Sequence, residues 1–108
     1  MDIYDAVHTL ESLAHGTRLG VFRLLVQAGP DGLSAGAIAE EMGALQNTMS
    51  NHLSKLDRAG IVTSQRDGRH IIYRANYEAL SGLIVYLMKD CCGRKSEVCD
   101  PIAASMKL

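Results

Sequence analysis

No run in this chain of 108 residues approaches the length of a membrane span, and Met1-Asp2 opens it without the basic region of a secretory leader. The expectation is a cytoplasmic protein with no membrane partner. There is no Cys-x-x-Cys pair and no glycine-rich loop to cradle phosphate, so the signatures of a dithiol oxidoreductase and of a nucleotide-using enzyme are both missing. Histidine stops at position 70, which leaves the cysteines at 91, 92 and 99 without a neighbouring imidazole in the sequence. An excess of positive charge is missing too: 11 Lys and Arg face 12 Asp and Glu, for a net charge of −1.

That last absence disappears when the chain is divided. Residues 1–45 hold two Arg against six acids, residues 46–74 hold five Lys and Arg against two, and residues 75–108 hold four of each. Positive charge is thus gathered in the middle of the chain, with the sign and locality of a nucleic-acid footprint. The length suits one domain with a modest core, and a hydrophobic content of 47% excludes a disordered chain. Three cysteines in an intracellular protein are expected to be thiols, and their clustering between 91 and 99 indicates a site rather than a disulfide framework.

The stretch from Leu33 to Gly60 reads as two short helices joined by a tight turn. Ser34 can cap the first, with Leu33 and Ile38 as a hydrophobic staple and Met42 one turn further along the same face. Gly43-Ala44-Leu45 supplies the break, because glycine readily takes the left-handed conformation that ends a helix. Met49, Leu53 and Leu56 then form one apolar stripe on the second helix. Its other face carries Gln46, Asn47, Ser50, Asn51 and Ser54, with His52 and Lys55 beside them. Short polar groups of this kind can bond base edges and phosphate oxygens in a major groove, although any solvated helix face is also polar.

The following segment separates those readings. Ile61 to Arg66 and Arg69 to Arg74 are two β-prone runs around an Asp67-Gly68 turn, so a β-hairpin is expected with Arg66 and Arg69 bracketing its tip. A basic hairpin directly after a helix-turn-helix is suited to touching backbone phosphate as a wing. Taken with Asn47 to Leu53, Leu56, Arg58 to Val62, Ile72-Tyr73 and the upstream Leu13-Ala14-His15-Gly16-Thr17-Arg18-Leu19, the pattern resembles the winged helix of arsenical-resistance (ArsR/SmtB-type) repressors. The resemblance runs from about residue 5 to Cys92 and implies a mainly α fold with a small β-hairpin, dimerising through its first and last helices. It also implies double-stranded operator DNA as partner, with Gln46, Asn47, Thr48, Ser50, Asn51, His52, Lys55, Arg66 and Arg69 as the DNA-binding set.

Around this unit, residues 2–14 are expected to form a helix with Val7, Leu10, Leu13 and Ala14 on one side. His8 and His15 share a face but lie about 10 Å apart along the axis, too far for one metal ion. Thr17 is a candidate cap for the next helix, with Leu19, Phe22, Leu25 and Val26 as core, and residues 28–32 form a loop. Asn76 is expected to cap the last helix, with Glu78 in its first turn. That helix carries Tyr77, Leu80, Leu83, Ile84, Val85, Tyr86, Leu87, Met88 and Cys91, more apolar surface than one small domain covers, so part of it is expected to meet a second copy. Gly93 is expected to stop it, which divides the chain into a winged domain at 1–93 and a tail at 94–108.

Cys91-Cys92-Gly93 and Cys99 form the sharpest local signal. Gly93 lets the chain unwind so that adjacent sulfurs can converge, Cys99 can fold back within an extended reach of about 25 Å, and Arg94 and Lys95 favour thiolates. Trivalent arsenic or antimony bonds three sulfurs, whereas tetrahedral zinc would lack a fourth protein ligand. Another soft metal, redox-active thiols and incidental apolar cysteines are the competing readings. The best-known members of the resembled family carry Cys-x-Cys on the first helix of the helix-turn-helix, where this chain has Leu33-Ser34-Ala35-Gly36, and the Asp and His pattern of zinc-sensing members is absent. The Cys-Cys-Gly ending with a later cysteine resembles a branch that senses arsenite at the end of the last helix. The expectation is a homodimeric repressor, not an enzyme, that releases its operator when As(III), and by the same chemistry Sb(III), binds Cys91, Cys92 and Cys99. A thiol-redox repressor is the alternative, and a small thiol-based reductase a more distant one.

Overall fold

The computed structural model describes residues 1–89. Within them the chain runs α1 (Ile3–Leu13), α2 (Gly16–Ala28), a 3-10 turn (Gly29–Asp31), β1 (Leu33–Ser34), α3 (Ala35–Met42), α4 (Gln46–Arg58), β2 (Val62–Asp67), β3 (His70–Ala75) and α5 (Tyr77–Met88). Helix boundaries follow local chemistry. Asp2 and Asp5 form a reciprocal capping box on α1, Ser34 Oγ accepts from the Ala37 N–H at 3.1 Å on α3, and Asn76 Oδ1 accepts from the Ala79 N–H at 3.1 Å on α5. Gly43, left-handed at φ 65° and ψ 33°, ends α3 as its position in the sequence predicts.

One cluster unites these elements: Val21, Phe22 and Leu25 of α2, Ile38 and Ala39 of α3, Met49, Leu53 and Leu56 of α4, and Ile61, Val62 and Ala75 around the sheet. Each large side chain removed from water here contributes about 1.5–3 kcal/mol, so the stripe on α4 is what locks this helix onto its scaffold. A Cβ at Gly20 would lie 2.9 Å from Met42 Cε, the far end of a flexible side chain that can shift to make room.

Several local expectations are corrected. His15, not Thr17, caps α2: its backbone is extended and its Nδ1 accepts from the Thr17 N–H at 3.2 Å, so Thr17 is already inside the helix. Leu19 and Val26 are exposed, because α2 turns Val21, Phe22 and Leu25 inward instead. On α1, for which the sequence assigned no inward side, the buried residues are the small Ala6, Thr9 and Ser12, and Val7 and Leu10 are exposed. The sheet has a third strand, in the order β1-β3-β2, with Leu33 opposite Tyr73 and Ser34 opposite Ile72. Finally, α5 ends at Met88 rather than at Gly93, where Lys89 turns to φ −57° and ψ 130°. The division at 93/94 and the three cysteines lie outside the described residues. No described helix is long and apolar enough to cross a membrane.

Candidate nucleic-acid interface

Helix α4 presents three distinct sides. Met49, Leu53 and Leu56 face the core, and a helix of 3.6 residues per turn therefore points Asn47, Asn51, Ser54 and Arg58 the opposite way. Gln46, Asn47, Thr48, Ser50, Asn51 and Lys55 are exposed. Asn47 Oδ1 accepts from the Thr48 N–H at 2.8 Å, occupying one of the free backbone donors of the first turn, while Leu45 offers no side-chain cap. Arg58 Nη2 donates to Ser54 Oγ at 3.2 Å, holding the guanidinium along the outer face. Arg58 shares this outer face with Asn51, seven residues earlier on the same side of the helix.

The two flanks of α4 are held differently. On one, Ser64 Oγ of β2 donates to Asp57 Oδ2 at 3.0 Å, tying the wing to the helix. Burial, and then the Asp57 charge, push the Tyr73 hydroxyl above its ordinary pKa. On the other flank His52 is half-buried against His15, ring centroids 4.7 Å apart. Its Nδ1 is buried without a hydrogen-bond partner among the described residues. Burial, followed by the nearby His15, Arg18 and Lys55, lowers the His52 pKa, so this ring favours the neutral form. His52 is therefore set apart from the outward face that holds Asn47 and Asn51. His15 has a structural task in the α2 cap.

The wing is a two-residue hairpin whose turn lies one residue later than the sequence expectation. Asp67 pairs with His70, so the loop residues are Gly68 and Arg69 rather than Asp67 and Gly68. Gly68, at φ 63°, supplies the positive dihedral of the turn, and Arg69 occupies the tip itself. Arg66 lies on β2 opposite Ile71, and both arginines are exposed. Arg74 is engaged otherwise, donating to the Pro30 carbonyl at 2.8 Å and to Gln65 Oε1 at 3.2 Å, and so braces the sheet against the turn after α2. Among the described residues, no three His, Cys, Asp or Glu side chains converge as metal ligands.

Residues 13–65 match the family model described as a helix-turn-helix domain. Over 88 residues the chain is 31% identical to the HTH-type transcriptional regulator YgaV of Escherichia coli, covering 82% of this chain and 87% of that protein. A homodimeric winged helix-turn-helix DNA-binding domain, Mb0332 of Mycobacterium bovis, described as a possible ArsR-family regulator, superposes with a TM-score of 0.67 at 26% identity, over 79% of this chain and 77% of its own. An ArsR-like transcriptional regulator from Rhodococcus sp. RHA1 gives 0.69 at 25% identity, over 96% and 91%. This chain belongs to the ArsR family of winged helix-turn-helix regulators. As an ArsR-family protein it is a DNA-binding transcriptional regulator and not an enzyme. In that setting α4 is the recognition helix and the β2–β3 hairpin the wing.

Proposed function

We propose that this ArsR-family regulator is a homodimeric repressor that holds its operator without metalloid and releases it when trivalent arsenic, or antimony, binds Cys91, Cys92 and Cys99. The reading is carried by the donor set: three thiols within nine residues, with two lysine or arginine neighbours that favour thiolate, match an ion that bonds three sulfurs. Dimerisation is supported by the apolar surface left on the first and last helices. Tyr4 is 82% exposed and Ile3 58% on α1, and Val85 is 65% and Leu87 57% on α5. The M. bovis neighbour is itself described as homodimeric. A two-fold dimer would set its recognition helices on half-sites about one DNA turn apart, or a multiple of it.

Cys91 follows the last residue of α5 by three positions, so a metalloid bound there acts next to the helix that carries this apolar face. A hundredfold loss of operator affinity requires only about 2.7 kcal/mol of coupling between the two sites. The test is fluorescence anisotropy on a duplex selected for tight binding, titrated with arsenite under full reduction. Wild type should dissociate, and the Cys91→Ser, Cys92→Ser double variant should bind DNA normally and stay bound. Dissociation of that variant at the wild-type arsenite concentration would falsify the metalloid reading. Release by peroxide alone, reversed by a reductant, would replace it with a thiol-redox switch.

A further inference from the structure

A second basic surface lies beside the recognition helix, on the flank away from the wing. A depression of about 200 Å³ between α1 and α4 is lined by His8, Glu11, Ser12, Arg18, Lys55 and Arg58. Three of these six are permanent cations, drawn from α2 and α4. Among the described residues the hydrogen bonds of the two arginines go to uncharged groups: Arg18 Nε donates to the Ser12 carbonyl at 2.7 Å, and Arg58 Nη2 donates to the Ser54 hydroxyl. Both acceptors are neutral. The Ser12 bond fixes the Arg18 guanidinium at the α1–α2 corner and leaves its terminal nitrogens as a fork, the geometry that suits phosphate.

From this arrangement we infer that Arg18, Lys55 and Arg58 form a backbone-phosphate site for operator DNA, gripping the strand opposite the one met by the wing. Position supplies the argument. The wing is tied to α4 through Asp57 and Ser64, whereas Arg18 stands beyond the flank of α4 that carries His52 and Lys55. A helix about 10–12 Å across fills a major groove about 12 Å wide, so a phosphate backbone borders it on each side. With Arg66 and Arg69 on one border alone, the recognition helix would be held from one side. The cationic depression provides the other hold, and two of its three charges belong to the recognition helix itself, which makes it continuous with the DNA-reading face. Among the described residues its one carboxylate, Glu11, comes from α1 and opposes the anion.

Because a phosphate contact ignores sequence, the experiment uses a 30-base-pair duplex of arbitrary sequence and metalloid-free protein, and its failure leaves the arsenite reading untouched. Binding is measured by anisotropy across a salt series. Arg18→Ala and Arg58→Ala should each weaken binding and reduce the magnitude of the log K against log salt slope by about one unit. Arg18→Lys should keep the slope, since the charge remains, and Glu11→Gln should tighten binding severalfold. Arg18→Ala removes the bond to Ser12, so its thermal melt is recorded alongside. If Arg18→Ala and Arg18→Lys weaken binding equally with the wild-type slope, the arginine acts only through Ser12 and the phosphate site is refuted. An unchanged slope for Arg58→Ala, or weaker binding by Glu11→Gln, would overturn it as well.

Discussion

Gly29 and Gly32 offer a controlled test of what joins the wing to the helix-turn-helix. Both have nearly the same backbone, φ 76° and ψ −159° at Gly29 and φ 68° and ψ −167° at Gly32, a region open essentially to glycine alone. Alanine at either position therefore incurs the same conformational penalty, about 1–3 kcal/mol. Their surroundings differ. A Cβ at Gly29 meets nothing within 4 Å, whereas one at Gly32 would collide with the Tyr73 carbonyl oxygen and fall 2.7 Å from Arg74 Cγ and 3.1 Å from Ile72 Cγ2. The first of those atoms is backbone in β3, the strand that pairs with β1 at Leu33, and it cannot yield without moving the sheet. Gly32→Ala should thus cost a further amount of about 1–3 kcal/mol from overpacking. Urea unfolding at one fixed protein concentration reads the difference. With a slope of about 1–3 kcal/mol per molar urea, the Gly32→Ala midpoint should fall below that of Gly29→Ala by roughly 1 M. Gly32→Ala should also lose more DNA affinity, because β3 carries one side of the wing. Equal midpoints for the two variants would refute the close-approach argument.

Asn51→Ala should relax base preference by about 1–3 kcal/mol at one operator position, whereas Arg69→Ala at the wing tip should weaken every duplex alike and lower the salt slope by about one unit. The opposite pattern in a panel of single-base operator variants would exchange their roles. Leu87→Asp should convert the dimer to monomer in sedimentation while preserving the helical spectrum, because Leu87 is exposed in the protomer; Leu83, at 4% exposure, would instead unfold it. A soluble Leu87→Asp dimer of normal affinity would move the interface elsewhere. His52 has a folded-state pKa below the ordinary 6.5, so the unfolded chain takes up its proton first as pH falls. The stability that neutral His52 contributes is complete above pH 6.5 and declines as pH falls below it toward the folded pKa. His52→Gln should flatten that part of the stability profile, and an unaltered slope would remove His52 as its source.

The parts of this protein that neighbouring residues decide were legible in the sequence. Ser34, Gly43 and Asn76 set helix ends through bonds or dihedrals spanning at most a few residues, and the 4-and-3 spacing of Met49, Leu53 and Leu56 identified the buried side of α4. The polar outer face with Asn47 and Asn51, and the hairpin after it, followed from the same short-range rules. The turn was placed one residue too early because Gly68 fits either position of a two-residue turn, and the pairing of Asp67 with His70 chose between them. Other features depend on residues far apart in the chain. Leu33 finds Tyr73 forty positions later, and His52 is drawn away from the outward face by His15, thirty-seven positions earlier. The depression holding Arg18 with Lys55 and Arg58 exists only once α1, α2 and α4 have packed. Helical periodicity says which residues share a side of α1 or α5, but not which side turns inward. Tertiary packing decided that, burying small Ala6, Thr9 and Ser12 where α1 meets its own domain and leaving Tyr4, Val7, Val85 and Leu87 outside, where only another apolar surface can cover them.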